Sequence, residues 1–217
     1  MKKMNDKLYR HIDRLIKRYP CLEEVKNSIL EAYLLMEESY CNGGKMLISG
    51  NGGSAADAEH IVGELMKCFK LPRPIGKDME KSLQEIDPMR GETLARYLKC
   101  SLPAIALSAH EALITAYAND VGGTGVFAQQ LFGYGKAGDV FLGISTSGNS
   151  ENIIDASIVA KAMGIKVIGL TGNNGGKLRE FTDVMVCVPE SETYMIQELH
   201  LPIYHCWCIM LEERFFG

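Results

Sequence analysis

The chain is poor in several features that would otherwise direct its reading. It has no apolar run long enough to span a bilayer, no Cys-x-x-Cys pair among its seven cysteines, and no excess of basic residues: 23 Lys+Arg stand against 27 Asp+Glu, a formal net charge of −4. The first absence argues against a membrane-spanning helix. The odd, scattered cysteines argue against a disulfide framework and for a reducing compartment. The acidic balance removes the electrostatic footprint of a protein that binds nucleic acid or an anionic membrane surface. The N-terminal stretch MKKMNDKLYRHIDRLIKRYP mixes charge through its apolar positions and lacks the apolar core of a signal peptide. The expectation is a cytoplasmic protein with a small-molecule partner, and with neither nucleic acid nor membrane among its partners.

What is present is the composition of one globular domain: 217 residues, 47% hydrophobic and 23% charged, enough chain to bury a core without covalent staples. Leu8, Ile12, Leu15 and Ile16 recur at helical spacing over 5–19, and Leu22, Val25, Ile29, Ala32, Tyr33 and Met36 do so again after Pro20. A helical hairpin therefore opens the protein, over about 1–42, and Gly43 and Gly44 end it. Short apolar runs then alternate with helical patterns: MLIS at 46–49, PAIAL at 103–107, VFLGIS at 140–145, VIGL at 167–170 and VMVCV at 184–188. Runs this short, rich in Val, Ile and Leu, read as buried strands of a parallel sheet. The fold class is a doubly wound α/β sandwich closed by a long helix from about Thr193 to Glu213. Pro72, Pro74 and Pro88, with two short charged segments, interrupt the alternation, so about 69–102 is an insertion within a single domain over 1–217. Residues 70–102 hold seven Lys/Arg and five Asp/Glu. A solvated surface loop is the plain reading, and a cover over an anionic substrate is the alternative.

Two loops follow strands at the carboxyl side of this sheet, where helix N-termini present free N–H groups. They are Ser49-Gly50-Asn51-Gly52-Gly53-Ser54 and Ser145-Thr146-Ser147-Gly148-Asn149-Ser150. The second is rich in hydroxyls and small residues, suited to a phosphate, but carries neither the Lys of a P-loop nor a GxGxxG fingerprint. Either alone would pass for a strand-to-helix turn. Together they look like a sugar-phosphate pocket, with Asn119 and Asp120 available on a third side.

Just beyond the first loop, His60 and Glu64 lie four residues apart on one helical face. In the last helix Gln197 and His205, eight apart, share a side two turns from each other. One carboxylate, two imidazoles and an amide suit a metal such as zinc, or proton transfer. His11, His110 and His200 are read as packed or surface histidines. Cys206 and Cys208 point apart on a helix and are read as core.

The stretches GNGGSAADAEHIVGEL (50–65), AYANDVG (116–122), GDVFLGISTSGNSENIIDA (138–156), KVIGLTGNNGGKL (166–178) and MIQELHLPIYH (195–205) resemble the sedoheptulose 7-phosphate isomerases, or phosphoheptose isomerases, of the sugar isomerase (SIS) superfamily. The resemblance runs from about residue 20 to the end, apart from the insertion. It implies a three-layer sandwich with a five-stranded parallel sheet, the flavodoxin-like SIS fold, and a homotetramer with active sites at subunit interfaces. It also implies Zn2+ held by His60, Glu64, Gln197 and His205. The sugar phosphate would be bound by Asn51, Gly52, Gly53, Ser54, Glu64, Asn119, Asp120, Ser145, Thr146, Ser147, Ser150 and Gln197, with Glu64 and His205 as the catalytic pair. The implied chemistry converts sedoheptulose 7-phosphate into D-glycero-D-manno-heptose 7-phosphate through an enediolate.

Three departures from the family pattern stand out. Cys68 occupies a position where the family often has Arg, with Lys67, Lys70 or a basic residue of the insertion as substitutes. Pro202 falls inside the last helix, where it removes a hydrogen bond and is expected to kink it. The insertion itself is the third. Two other readings compete: an isomerase or lyase for another sugar phosphate, and a non-catalytic SIS protein binding a replication initiator or other partner.

Overall fold

All five apolar runs are strands: β1 (Met46–Ser49), β2 (Ala104–Ala106), β3 (Val140–Ile144), β4 (Lys166–Thr171) and β5 (Val184–Cys187). They hydrogen-bond in the order β2-β1-β3-β4-β5, every pair parallel, with Leu47 opposite Ile105 on one side and Phe141 on the other. The computed structural model describes residues 6–217. The first residue of the helix expected over 5–19, and the start of the 1–42 extension, lie outside the described residues.

Both faces of the sheet are covered, which is why its strands read as unbroken apolar runs rather than alternations. Met46, Ile48, Leu142, Ile144, Ile168 and Leu170 face one layer, made of α1 (Asp6–Arg18), α2 (Lys26–Cys41), α3 (Gly53–Met66) and α9 (Thr193–Phe216). Leu47, Phe141 and Val167 face the other, made of α7 (Val126–Tyr134) and α8 (Glu151–Ala162). Successive strand residues thus alternate between two cores. A short 3₁₀ turn, Pro20–Val25, links α1 to α2. In α9 most sides are apolar because it lies between α1, α2, α3 and the sheet, and Trp207 Nε1 donates to the Ile29 carbonyl at 2.9 Å, pinning α9 to α2. Cys206 and Cys208 are buried there as core residues. The helix runs unbroken across Pro202; the single donor lost there is a small fraction of its ladder.

The insertion differs from the loop expected. Its two charged segments are helices, α4 (Lys77–Ile86) and α5 (Pro88–Tyr97), folded on each other. Pro88 starts α5 instead of breaking a helix, because Asp87 caps it, accepting from the Arg90 N–H at 2.9 Å. Gly91 allows the close approach: a Cβ there would lie 2.4 Å from the Leu83 carbonyl. The hairpin packs on itself and on little else, leaving Ile86 and Met89 more than four-fifths exposed, at 85% and 81%.

The base of this hairpin is fixed firmly. Glu212, buried in α9, accepts from the backbone N–H groups of Phe69 (2.8 Å), Lys70 (2.7 Å) and Leu71 (3.0 Å) and from Arg73 Nε (2.8 Å). The Arg73 guanidinium also donates to the carbonyls of Leu65 (2.7 Å) and Glu64 (3.1 Å) and lies over the Phe216 ring. Burial works to raise the Glu212 carboxyl pKa, but the three amides and Arg73 outweigh it and hold it below the usual range. An isolated antiparallel bridge between Pro74 and Lys99 closes the neck above this clamp.

Candidate functional site

The second loop is a tight turn from β3 into the N-terminus of α8. The Ser145 and Ser150 hydroxyls lie 3.0 Å apart, the Gly148 N–H donates to the Ser145 carbonyl, and the Asn149 N–H donates to Ser147 Oγ at 3.1 Å. Ser150 occupies the N-cap of α8, its carbonyl accepting from the Ile153 and Ile154 N–H groups while its side chain makes no cap bond, so the foremost N–H groups of the helix are left as outward donors. Thr146 is held from behind by the Gly172 N–H on its carbonyl, at 2.9 Å. Gly148 is obligatory: its φ is +65° and a Cβ would fall 2.0 Å from the Gly175 carbonyl oxygen. Gly148→Ala is expected to destabilise the protein by about 1–3 kcal/mol and to weaken anion binding, read from the unfolding midpoint with and without inorganic phosphate.

The first loop meets the second. Asn51 and Asn152 exchange amide hydrogen bonds at 3.0 and 2.9 Å, and with Gly123, Thr124, Ser150 and Glu151 they line an open cleft of about 420 Å³. Ser54 is buried, its N–H on the Asn51 carbonyl. Gly52 takes a φ of +55° at the turn into α3, and Gly53 lies so close to Gln197 that a Cβ would meet its amide at 2.5 Å. Asn119 and Asp120 end α6 (Glu111–Asp120), exposed and bonded to one another at 2.9 Å. It is the turn beyond them, Gly123–Thr124, that reaches the cleft. Asn152 and Thr124 were not singled out from the sequence: Asn152 lies just past the serine run, and Thr124 sits in the glycine turn Gly122-Gly123-Thr124-Gly125, away from any strand end.

The second constellation forms where α3 and α9 pack in parallel. His60 Nε2 lies 3.3 Å from Glu64 Oε1 and 3.4 Å from His205 Nε2, bringing together residues 145 apart in sequence. The His60 and His205 rings meet edge-on, 4.9 Å between centroids. Burial, then the neighbouring His60, pushes the His205 imidazole pKa down, which favours its neutral form. Tyr204 Oη sits 3.2 Å from Asp57 Oδ1 and 3.0 Å from His60 Nδ1. Burial raises the Asp57 carboxyl pKa, opposed by the Tyr204 hydrogen bond and the nearby His60 ring. Neither Asp57 nor Tyr204 was singled out from the sequence; a helix neighbour of a histidine carries no signal of its own.

Gln197 is not part of this group in the single chain. It contacts Gly53, and the unbroken helix between it and His205 implies about 12 Å of rise. Of the substitutes for the missing Arg, Lys67 Nζ bonds Glu64 Oε2 at 3.2 Å, whereas Arg73 is committed to Glu212 and its N–H donates to Cys68 Sγ. Lys70 lines, with Arg14, Arg18 and His205, a cleft of about 280 Å³ that opens at His205. Of the remaining histidines, His11 lines this same cleft and pairs with Glu213, His110 Nδ1 pairs with Gln130 Oε1 at 2.8 Å, and His200 is buried, its pKa pushed down to about 4 by burial.

Among the described residues no three His, Cys, Asp or Glu side chains form a closed metal cage. Two of the donor spacings are nonetheless those that zinc takes, while Gln197 stands apart from them. Ligands about 2.0–2.1 Å from a tetrahedral ion lie roughly 3.3–3.4 Å from one another, the separations seen between His60 Nε2 and its two neighbours.

Comparison with known proteins agrees with this architecture. Residues 81–172 match the SIS domain family model. The phosphoheptose isomerase of Aneurinibacillus thermoaerophilus is 39% identical over 98% of this chain and 96% of its own length, and that of Geotalea daltonii is 39% identical over 90% and 88%. The structure of the phosphoheptose isomerase of Neisseria gonorrhoeae superposes with a TM-score of 0.73 at 32% identity, covering 96% of this chain and 98% of that one. The enzyme from Francisella tularensis gives 0.74 at 32% identity, covering 96% and 97%. With the same five-stranded sheet and near-complete coverage in both directions, this chain belongs to the phosphoheptose isomerase family of the SIS superfamily.

Proposed function

We propose that this sugar-phosphate isomerase interconverts sedoheptulose 7-phosphate and D-glycero-D-manno-heptose 7-phosphate. The observation that carries the reading is the convergence of Glu64 and His205 beside His60, from two helices distant in sequence. Moving a carbonyl from C2 to C1 requires a base to take the C1 proton, an acid to return one to C2, and transfer of the hydroxyl proton between O1 and O2. Glu64, buried and acceptor-only when ionised, and neutral His205 divide these transfers, passing through an enediolate. Ser145, Thr146, Ser147 and Ser150, with the first turn of α8, bind the distant phosphate and orient the sugar, aided by Asn51, Gly52, Gly53, Ser54, Asn119 and Asp120. His60, Glu64, Gln197 and His205 are the residues that would hold zinc, which when bound would supply Lewis acidity favouring negative charge on the substrate oxygen.

Along α3, Gly53 and Glu64 are separated by about 16 Å of helical rise, further than one heptose phosphate comfortably reaches. A homotetramer that sets the serine loop of one subunit against the α3–α9 group of another would resolve this distance, and would likewise bring a Gln197 toward that group.

The test is NMR of the purified protein with sedoheptulose 7-phosphate in deuterated buffer, with zinc and with chelator. Aldose formation with deuterium entering the sugar carbon, abolished by chelator, is expected. No product and no exchange with zinc present defeats the substrate assignment and directs the search to hexose and amino-sugar phosphates.

A further inference from the structure

Resting on the reading that His60 is a metal ligand, we propose that Tyr204, anchored by Asp57, is a positioning residue that keeps the His60 proton on Nδ1 and so leaves Nε2 as an electron-pair donor. Asp57 and His60 lie one turn apart on α3, and Tyr204 reaches between them from α9, its side chain only 1% exposed. The Tyr204 hydroxyl has one proton and two partners, at 3.2 Å (Asp57 Oδ1) and 3.0 Å (His60 Nδ1). A carboxylate only accepts, so the hydroxyl donates to Asp57, and its oxygen is then satisfied by an N–H from His60. The opposite direction needs a proton on Asp57.

A competing pull acts on the other side of the ring. Glu64 Oε1, 3.3 Å from Nε2, would accept a proton from that nitrogen and spoil it as a ligand. Lys67 bonds the second Glu64 oxygen at 3.2 Å and weakens that pull. Asp57 Oδ2 is buried and, among the described residues, has no partner of its own, so the Asp57 charge is spent on the Tyr204 hydroxyl. Removing that hydroxyl leaves Asp57 unpaired and Nδ1 without an acceptor, and the proton shifts to Nε2. Fixing the tautomer of a ligating histidine through its second nitrogen is a general requirement of metal sites.

The measurement is two-bond ¹⁵N–¹H NMR of the histidine rings in the metal-free protein, with zinc affinity measured by chelator competition. Wild type is expected to show His60 as the Nδ1–H tautomer. Tyr204→Phe should move the proton largely to Nε2 and weaken zinc about 10–100-fold, with His110 as an unchanged internal reference. Asp57→Asn, which keeps the volume but offers an amide donor to the hydroxyl, should reverse the tautomer with little change in the unfolding midpoint. An Nε2–H tautomer in wild type, or one unmoved in both variants, overturns the proposal. The expected tautomers in a protein that takes up no zinc would uphold the positioning role and defeat the metal reading instead, so the two fail separately.

Discussion

Replacing Glu212 by glutamine is expected to cost about 3–5 kcal/mol, because it leaves the Arg73 guanidinium charged, buried and without its counter-ion. Three backbone N–H groups lose a charged acceptor in the same stroke. The damage spreads to the site, since Arg73 also holds the Glu64 and Leu65 carbonyls at the end of α3. Urea unfolding of the two proteins near neutral pH measures the difference. The Glu212 carboxyl has a lower pKa folded than its ordinary value of 4.5, so its stabilisation is complete above that value and is lost as pH falls through the folded one. The gap between wild type and Glu212→Gln should therefore narrow in acid; a constant gap would show that the carboxylate charge contributes nothing. Glu212→Gln with Arg73→Met, which removes both charges, should recover much of the loss.

Glu64→Gln should lower kcat by about 10²–10⁴-fold, the usual contribution of a positioned proton-transfer group. Glutamine keeps the shape that lies against His60 and Lys67 but cannot take a proton. Because the phosphate is anchored by the serine loop rather than by Glu64, sugar-phosphate affinity measured by calorimetry should change little, and kcat/KM should fall with kcat. Full retention of deuterium exchange by Glu64→Gln would remove Glu64 from the proton-transfer steps and leave His205 to carry them.

The sheet was legible because burial on both faces forces β-branched and aliphatic residues into short runs, and each of the five runs from MLIS to VMVCV is a strand. The place of the serine and glycine loops, between β1 and α3 and between β3 and α8, was legible for the same kind of reason: a strand-to-helix turn is marked by its own local residues. The α4–α5 hairpin was not, since its surfaces are polar with isolated apolar residues and Pro88 reads equally as a breaker or a first helical residue. The Arg73–Glu212 clamp joins residues 139 apart, and no local pattern marks a pairing of that range. Tyr204 is similar: its hydroxyl has meaning only once α3 lies beside α9. His60, Glu64 and His205 do meet, whereas Gln197 meets the first loop, a distinction that helical spacing already contained in its two-turn offset.

The hairpin tip, around Ile86 to Met89, is where a protease would most readily cut. The pieces would not part. The N-terminal fragment owns β1, which lies between β2 and β3 of the C-terminal fragment, and the Pro74–Lys99 bridge and the Arg73–Glu212 pair join the two sides of the cut below it. The neck therefore marks the chain's natural split point: two separately made halves, each unable to complete a sheet alone, are expected to reassemble into one interleaved body that co-elutes on size exclusion and regains the wild-type circular dichroism.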